Sequence, residues 1–120
     1  MTRVVVETTR LNADKPLIAC QESWVVATDL AEALARNGTP FHKAHQLAGK
    51  LVLESIKQNR KPSEWTAEQL VAFAPEFTAE MVKLMDPAEG MKTRTVQGAT
   101  GPAAVAQALN EAEARLMQMR

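Results

Sequence analysis

The sequence predicts an all-α domain, compact and multi-helical, with about five helices joined by short loops. Three observations indicate this class. Alanine, valine, leucine and methionine supply most of the 46% hydrophobic share, whereas tyrosine is absent and phenylalanine and tryptophan are scarce. Apolar residues recur at spacings of three and four over most of the chain. Proline, glycine and capping residues stand where these segments begin or end. With 120 residues, the chain fits one domain with one core.

Composition excludes several classes of function. Lys+Arg and Asp+Glu each number 14, so the formal net charge is zero and no nucleic-acid partner is expected. No apolar run approaches the ~20 residues that span a bilayer, so we expect no membrane segment. A single cysteine, Cys20, cannot form a disulfide within the chain and suits a reducing cytoplasm. We therefore expect a cytoplasmic protein.

The N-terminal segment carries two conflicting signals. Met1–Leu11 includes the β-branched run Val4-Val5-Val6, which on propensity alone predicts a strand, although no partner strand is evident. Asn12 is a suitable N-cap for a helix beginning at Ala13. Pro16 falls within its first turn, where backbone N–H groups have no helical partner. We therefore expect a helix after residue 12.

The central part of the chain predicts two longer helices. The first begins near Trp24 and ends at Asn37-Gly38, a C-terminal stop signal. Thr39 is the expected N-cap of the second, with Pro40 at its first helical position. Apolar spacing marks one face of the first helix: Ala27, Leu30, Ala31 and Leu34. The second has a face wide enough for two neighbours: Phe41, Ala44, Ala48, Val52, Ser55 and Ile56, with Leu47 and Leu51 beside them.

Short helices follow the polar segment 58–63. Thr66-Ala67-Glu68-Gln69 is a capping box, and the helix that it opens should stop before Pro75. Thr78 is the expected cap of another short helix. Asp86–Thr100 predicts a loop, because it contains one proline and two glycines. Gly101-Pro102 then opens a last helix with a heptad-like seam formed by Val105, Leu109, Ala112, Leu116 and Met119.

Candidate chemical groups are few and incomplete. His42 and His45 could place two metal ligands on one helix face, but a third histidine is absent, so a surface or core histidine is the favoured interpretation. We expect His45, which lies between apolar Ala44 and Leu47, to donate a structural hydrogen bond. For Cys20, a buried structural thiol is favoured over a nucleophile. Arg94 could bind a carboxylate. An enzyme that acts through His45 and Arg94 ranks low because these groups are far apart in the sequence.

The Gly98-Ala99-Thr100-Gly101-Pro102 segment combines a turn with a helix start, as anion sites do. Pro102 removes one backbone donor, and the glycine spacing matches no phosphate-binding loop. A tight turn leading into the last helix is therefore favoured, and contact with a ligand stays open. We predict no catalytic, cofactor-binding or metal-binding residue in the chain.

Several stretches resemble the start of the C-terminal domain of argininosuccinate lyases. They are Ala27-Thr28-Asp29-Leu30-Ala31-Glu32, Asn37-Gly38-Thr39-Pro40-Phe41 and Ala44-His45-Gln46-Leu47-Ala48-Gly49. The similarity continues through Thr66–Leu70, Ala74-Pro75-Glu76-Phe77, Leu84-Met85-Asp86-Pro87, Arg94, the Gly98–Pro102 turn and Val105. It covers about Ala27 to Leu116 in order. Two departures are that Ala99 and Gly101 exchange the small residues of the family turn, and that His42 stands where the family often has arginine.

The resemblance implies a part of a larger enzyme. Such lyases have three domains, form tetramers through a central helical bundle, and split argininosuccinate into arginine and fumarate. Residues 1–26 would be the end of the bundle domain, which makes Met1–Leu11 a helix, and residues 27–120 the C-terminal domain. The family's catalytic loop, Gly-Ser-Ser-x-Met-Pro-x-Lys-x-Asn-Pro, is absent. His45 and Arg94 match positions that we interpret as structural.

Two hypotheses follow. In the first, the chain supports an active site built by other domains or chains of an argininosuccinate lyase, and is inactive alone. In the second, it is an independent helical interaction module that binds a partner through the seam from Val105 to Met119. Exposed apolar helix faces would allow self-association under either hypothesis.

Overall fold

The computed structural model describes residues 2–12 and 14–119, and these residues contain helices and no β-strand. Seven α-helices lie in this part of the chain: α1 (Thr2–Thr8), α2 (Asp14–Glu22), α3 (Ala27–Arg36), α4 (Phe41–Lys57), α5 (Ala67–Phe73), α6 (Pro87–Lys92) and α7 (Pro102–Gln118). Three 3₁₀ segments lie between them: Trp24–Val26, Pro62–Glu64 and Ala79–Met85. The all-α class is confirmed. The prediction of about five helices is too low, because short helices at the N-terminus and after Asp86 were not counted.

The core lies where α3 packs along α4 and where α5 and the Ala79–Met85 segment cover them. Its buried side chains are Val26, Leu30, Leu34, Ala44, Leu51, Trp65, Leu70, Ala74, Phe77, Met81 and Met85. The rings of Trp65 and Phe73 meet edge to face at 5.8 Å, and Phe73 meets Phe77 at 6.1 Å. Aromatic contacts of this geometry stabilise a core beyond the area that they bury.

Both long helices end at a residue with a left-handed backbone, and the first of these is the predicted stop at Asn37-Gly38. After α3, Gly38 has a φ of 92°, and the N–H groups of Gly38 and Thr39 donate to the carbonyls of Ala35 and Leu34. This is the Schellman arrangement, which needs a left-handed residue that glycine supplies without strain. Asn59 plays the same part after α4, with a φ of 51°. The capping box at Thr66 and Gln69 is also confirmed, with both reciprocal hydrogen bonds formed.

The two ends of the chain extend away from this core. The radius of gyration is 18.2 Å, whereas about 14 Å is typical of a compact domain of this length. No residue of α1 or α2 is buried, and α7 buries only Ala104. The expectation of a compact molecule is therefore wrong, because these three helices make few contacts with the rest of the chain.

The strand predicted for the N-terminal segment from propensity is also wrong, because residues 2–8 form α1. The helix expected there from the resemblance is what the structure contains. Arg3 and Glu7 form an ion pair one turn apart on it. The helix predicted after Asn12 is present as α2, described from Asp14, while its predicted first residue, Ala13, lies outside the described residues.

Helix α4 has two apolar faces. Ala44, Ala48, Leu51 and Ser55 are buried against the core. Phe41 and Ile56, predicted on the same stripe, are 66% and 63% exposed. One neighbour of this face, the core, lies within the described residues, and a second neighbour stays a prediction. Pro40 occupies the N-cap rather than the first helical position.

The loop predicted for Asp86–Thr100 is wrong in its first half, where α6 forms. Asp86 caps this helix, accepting a hydrogen bond from the N–H of Ala88 at 2.9 Å, and Pro87 stands at its first position. Asp-Pro is thus a helix start here rather than a turn. Thr78 lies at the N-cap of the Ala79–Met85 segment, but its hydroxyl makes no capping hydrogen bond.

No helix within the described ranges is long and apolar enough to cross a membrane.

Candidate functional site

Arg94 binds the carboxylate of Asp29. Its Nη2 donates to Asp29 Oδ1 at 2.9 Å, joining the loop after α6 to the first turn of α3 across 65 positions of sequence. The Asp29 side chain is 5% exposed and that of Arg94 is 37% exposed. The hydrogen bond to Asp29 and its negative charge raise the pKa of Arg94 above its usual value. The predicted carboxylate partner of Arg94 is therefore an internal one.

Two glycines make room for this ion pair. A Cβ on Gly90 would meet the carboxyl carbon of Asp29 at 2.9 Å, so α6 approaches α3 closely only because this position has no side chain. A Cβ on Gly101 would lie 2.9 Å from the carbonyl oxygen of Met91 and collide with the carbonyl of Arg94. Gly101, which carries α7, is consequently held tightly against the segment that bears Arg94.

The glycine turn lies beside the ion pair. Gly98 has a φ of 80°, and the N–H of Ala99 donates to the carbonyl of Val96 at 3.0 Å. Gly101 is the N-cap of α7, which starts at Pro102 as predicted. The turn closes one side of an open cavity of about 410 Å³, lined by Thr28, Glu32, Arg36, Thr93, Arg94, Thr95, Val96, Ala99 and Thr100. Seven of these nine residues carry a hydroxyl or a charged group.

The charged groups of the cavity are paired. Arg36 donates to Glu32 at 3.1 Å, and Arg94 donates to Asp29. Neither histidine nor cysteine lines it. The polar groups of the cavity are therefore threonine hydroxyls, two guanidinium groups held in ion pairs, and the carboxylate of Glu32.

His42 and His45 are both exposed. His45 lines a smaller cavity of about 270 Å³ between α3 and α4, together with Phe41, Ala48 and Gly49. The structural hydrogen bond expected of His45 is not among the hydrogen bonds of the described residues. Its cavity and that of Arg94 share Thr28 and Glu32, but His45 lines one and Arg94 the other. Within residues 2–12 and 14–119, no three His, Cys, Asp or Glu side chains are grouped as metal ligands would be.

Cys20 is a free thiol on α2 and is half-buried. The prediction of a buried structural cysteine is wrong, because α2 lies on the surface of the molecule and buries none of its residues.

Asp29 is the site residue that sequence reasoning missed. It belongs to a motif that carried the resemblance, yet its side chain looked like one of many charges on a helix. Asp29 lies in the first turn of α3, next to Leu30 on the apolar face that the helix buries. This position is the signal that could have identified it. An acidic residue on a buried face needs a partner, and Arg94 is that partner.

Comparison with known proteins identifies one family. Residues 24–92 match the model of the argininosuccinate lyase C-terminal family. The chain belongs to this family. The argininosuccinate lyase of Solibacter usitatus is 63% identical over 112 residues, which make up 93% of this chain and 24% of that protein. Those of Cutibacterium acnes and Streptococcus pneumoniae are 30% and 33% identical, over 97% and 87% of this chain. The chain spans about a quarter of the length of these relatives.

Proposed function

We propose that this chain acts as the C-terminal domain of an argininosuccinate lyase and supports an active site that other domains or chains build. The enzyme would split argininosuccinate into arginine and fumarate, as a step of arginine biosynthesis in the cytoplasm. The observation that carries the proposal is the 63% identity to the Solibacter usitatus enzyme over nearly the whole chain. At this identity, the helices, their contacts and the site that they support are expected to be retained.

The chemistry of the described residues supports a role without catalysis. The reaction requires a base that removes a proton next to a carboxylate and an acid for the departing guanidinium nitrogen. In the cavity beside Arg94, the carboxylate of Glu32 is bound by Arg36 and Arg94 is bound by Asp29, so these charged groups hold the fold together rather than stand free for proton transfer. In this proposal the chain contributes no catalytic, cofactor-binding or metal-binding residue, and residues 1–26 continue the bundle domain while residues 27–120 form the C-terminal domain.

A chimera tests the proposal. The matching stretch of the Solibacter usitatus lyase is replaced by this chain, and fumarate release from argininosuccinate is followed by absorbance. We expect the chimera to be active, and we expect the isolated chain and a lyase truncated before this stretch to be inactive. Turnover by the isolated chain would refute the supporting role, and an inactive but folded chimera would refute the domain assignment.

An independent interaction module is the second candidate. The observation that favours it is the number of large apolar side chains that the described residues expose, including those of α7. Under this candidate, the chimera would fold without turnover and the isolated chain would bind a partner unrelated to lyases.

A further inference from the structure

Helix α7 presents an apolar seam that its own domain does not cover. Leu109 and Leu116 are 59% and 63% exposed, and Val105 and Met119 are exposed as well. The one buried residue of α7, Ala104, lies about 100° around the helix from Val105. The other residues of α7 are exposed, so the domain does not cover the seam. An exposed apolar surface of this kind indicates a binding surface.

The spacing of the seam indicates a helical partner. Val105, Leu109, Ala112, Leu116 and Met119 alternate in steps of four and three. This is the pattern by which two helices pack side by side at a small crossing angle. Glu113 follows the seam on one side and Arg115 borders it on the other, and both are exposed. In paired helices these flanking positions form ion pairs with the partner.

The flanking charges argue against a second copy of α7. Antiparallel packing that pairs Val105 with Leu116 and Leu109 with Ala112 would place Glu113 and Arg115 beside alanines. In an antiparallel register shifted by one heptad, Glu113 would lie next to Glu113 of the other copy, and Arg115 next to Arg115 of the other copy. Parallel packing would set Glu113 beside Ala108. None of these arrangements pairs opposite charges, and like charges at facing positions are destabilising.

We propose that the seam of α7 packs against a helix from the remainder of the lyase, a helix with its own apolar heptad seam. That helix carries a basic residue opposite Glu113 and an acidic residue opposite Arg115. The proposal rests on the proposed function, because relatives of this chain have about three quarters of their length outside the matched stretch. The tight contact of Gly101 with Arg94 and Met91, together with the Asp29–Arg94 ion pair, fixes the direction in which α7 leaves the domain.

The first test uses the active chimera described above with two matched pairs of substitutions on α7. Leu109→Glu with Leu116→Glu places charge on the seam, and Gln107→Glu with Ala114→Glu places it on the opposite face at the same spacing. Both pairs place new carboxylates three and four positions from an existing glutamate, so their effects on the helix itself are matched. We expect the seam pair to lower the thermal unfolding midpoint of the chimera by roughly 2 °C or more relative to the control pair. In the isolated chain, where the seam is exposed, the two pairs should have equal effects on the midpoint and on the helical circular dichroism.

The second test locates the partner. A photo-crosslinking amino acid replaces Leu109 in the chimera, with the same substitution at Gln107 as control, and the products are mapped by mass spectrometry. We expect position 109 to crosslink to a helix outside residues 1–120, one that carries the two predicted charges. Crosslinks to α7 of a second copy would overturn the proposal. An active chimera in which both charge pairs behave alike would overturn it as well, while leaving the proposed function intact. An inactive wild-type chimera would instead remove the proposed function, and the docking proposal with it.

Discussion

The indole nitrogen of Trp65 donates a hydrogen bond to the hydroxyl of Ser55 at 3.0 Å, and this hydroxyl donates to the carbonyl of Leu51 at 2.7 Å. Ser55 is completely buried in the middle of the core. The two bonds join α4 to the segment before α5, so a polar serine completes an otherwise apolar helix face. Within the described residues, every buried side-chain nitrogen and oxygen has a hydrogen-bond partner.

Replacing Ser55 by alanine should therefore destabilise the domain. The substitution leaves the buried N–H of Trp65 without an acceptor, which costs about 1–3 kcal/mol of unfolding free energy. The measurement is urea unfolding of the isolated chain followed by tryptophan fluorescence. Ser63→Ala is the control, because Ser63 is exposed and should change stability by less than about 0.5 kcal/mol. Equal effects of the two substitutions would contradict the structural role of the hydrogen bond.

Removal of the Arg94 guanidinium should destabilise the domain by about 1–3 kcal/mol. Arg94→Ala leaves the buried carboxylate of Asp29 unpaired, but the effect is smaller than for a fully buried pair because Arg94 retains contact with water. Arg36→Ala is the matched control. It breaks an exposed ion pair with Glu32 on the same cavity and should cost less than about 1 kcal/mol. Denaturant unfolding of both variants measures the two losses of unfolding free energy. A smaller loss for Arg94→Ala than for Arg36→Ala would refute the structural role of the Asp29–Arg94 pair.

Local signals predicted most of the central fold. The stop at Asn37-Gly38, the capping box at Thr66 and the start of α7 after Gly101 each depend on residues a few positions apart, so the sequence contains the whole signal. The errors at Met1–Leu11 and at Asp86–Thr100 have a different cause. Valines that favour a strand form a helix in α1, and a proline that can end a helix begins one in α6.

Long-range contacts decided what the sequence left open. Arg94 was identified as a residue able to bind a carboxylate, but its partner is 65 positions away and could not be found from spacing. Gly90 was interpreted as a loop glycine. In the structure, a glycine is needed at this position because the side chain of Asp29 leaves no room for a Cβ. Cys20 was predicted to be buried but is half-buried, and His45 was expected to make a structural hydrogen bond but lies exposed. Apolar neighbours in sequence do not show which helix face meets the core.

The ion pair of Glu76 and Lys43 should make stability depend on pH. Lys43 Nζ lies 2.6 Å from Glu76 Oε1. The hydrogen bond from Lys43 is the largest cause that lowers the pKa of Glu76 below its usual value of 4.5. Because the unfolded state then binds more protons in this range, the stabilisation is present above about pH 4.5 and is lost as the pH falls through the lowered pKa.

The check is a set of four proteins unfolded in urea between pH 3 and pH 7. Glu76→Gln and Lys43→Gln should each reduce the fall in stability at acid pH, and the double substitution should reduce it no further than Glu76→Gln alone, because a backbone hydrogen bond also lowers the pKa of Glu76. An undiminished slope in Glu76→Gln would show that other carboxylates carry the pH dependence.

Alanine at two glycines should have effects of opposite sign. Gly90→Ala forces a methyl group against the carboxylate of Asp29, and relief of that contact must move α6 or break the Asp29–Arg94 pair, at a cost of about 1–3 kcal/mol. Gly49 lies in the interior of α4, and a Cβ there would meet nothing within 4 Å. Gly49→Ala should therefore stabilise the domain by roughly 0.5–1 kcal/mol through helix propensity alone. Thermal and urea unfolding of the two variants measure both effects, and stabilisation by Gly90→Ala would show that α6 does not pack on Asp29 as closely as the structure has it.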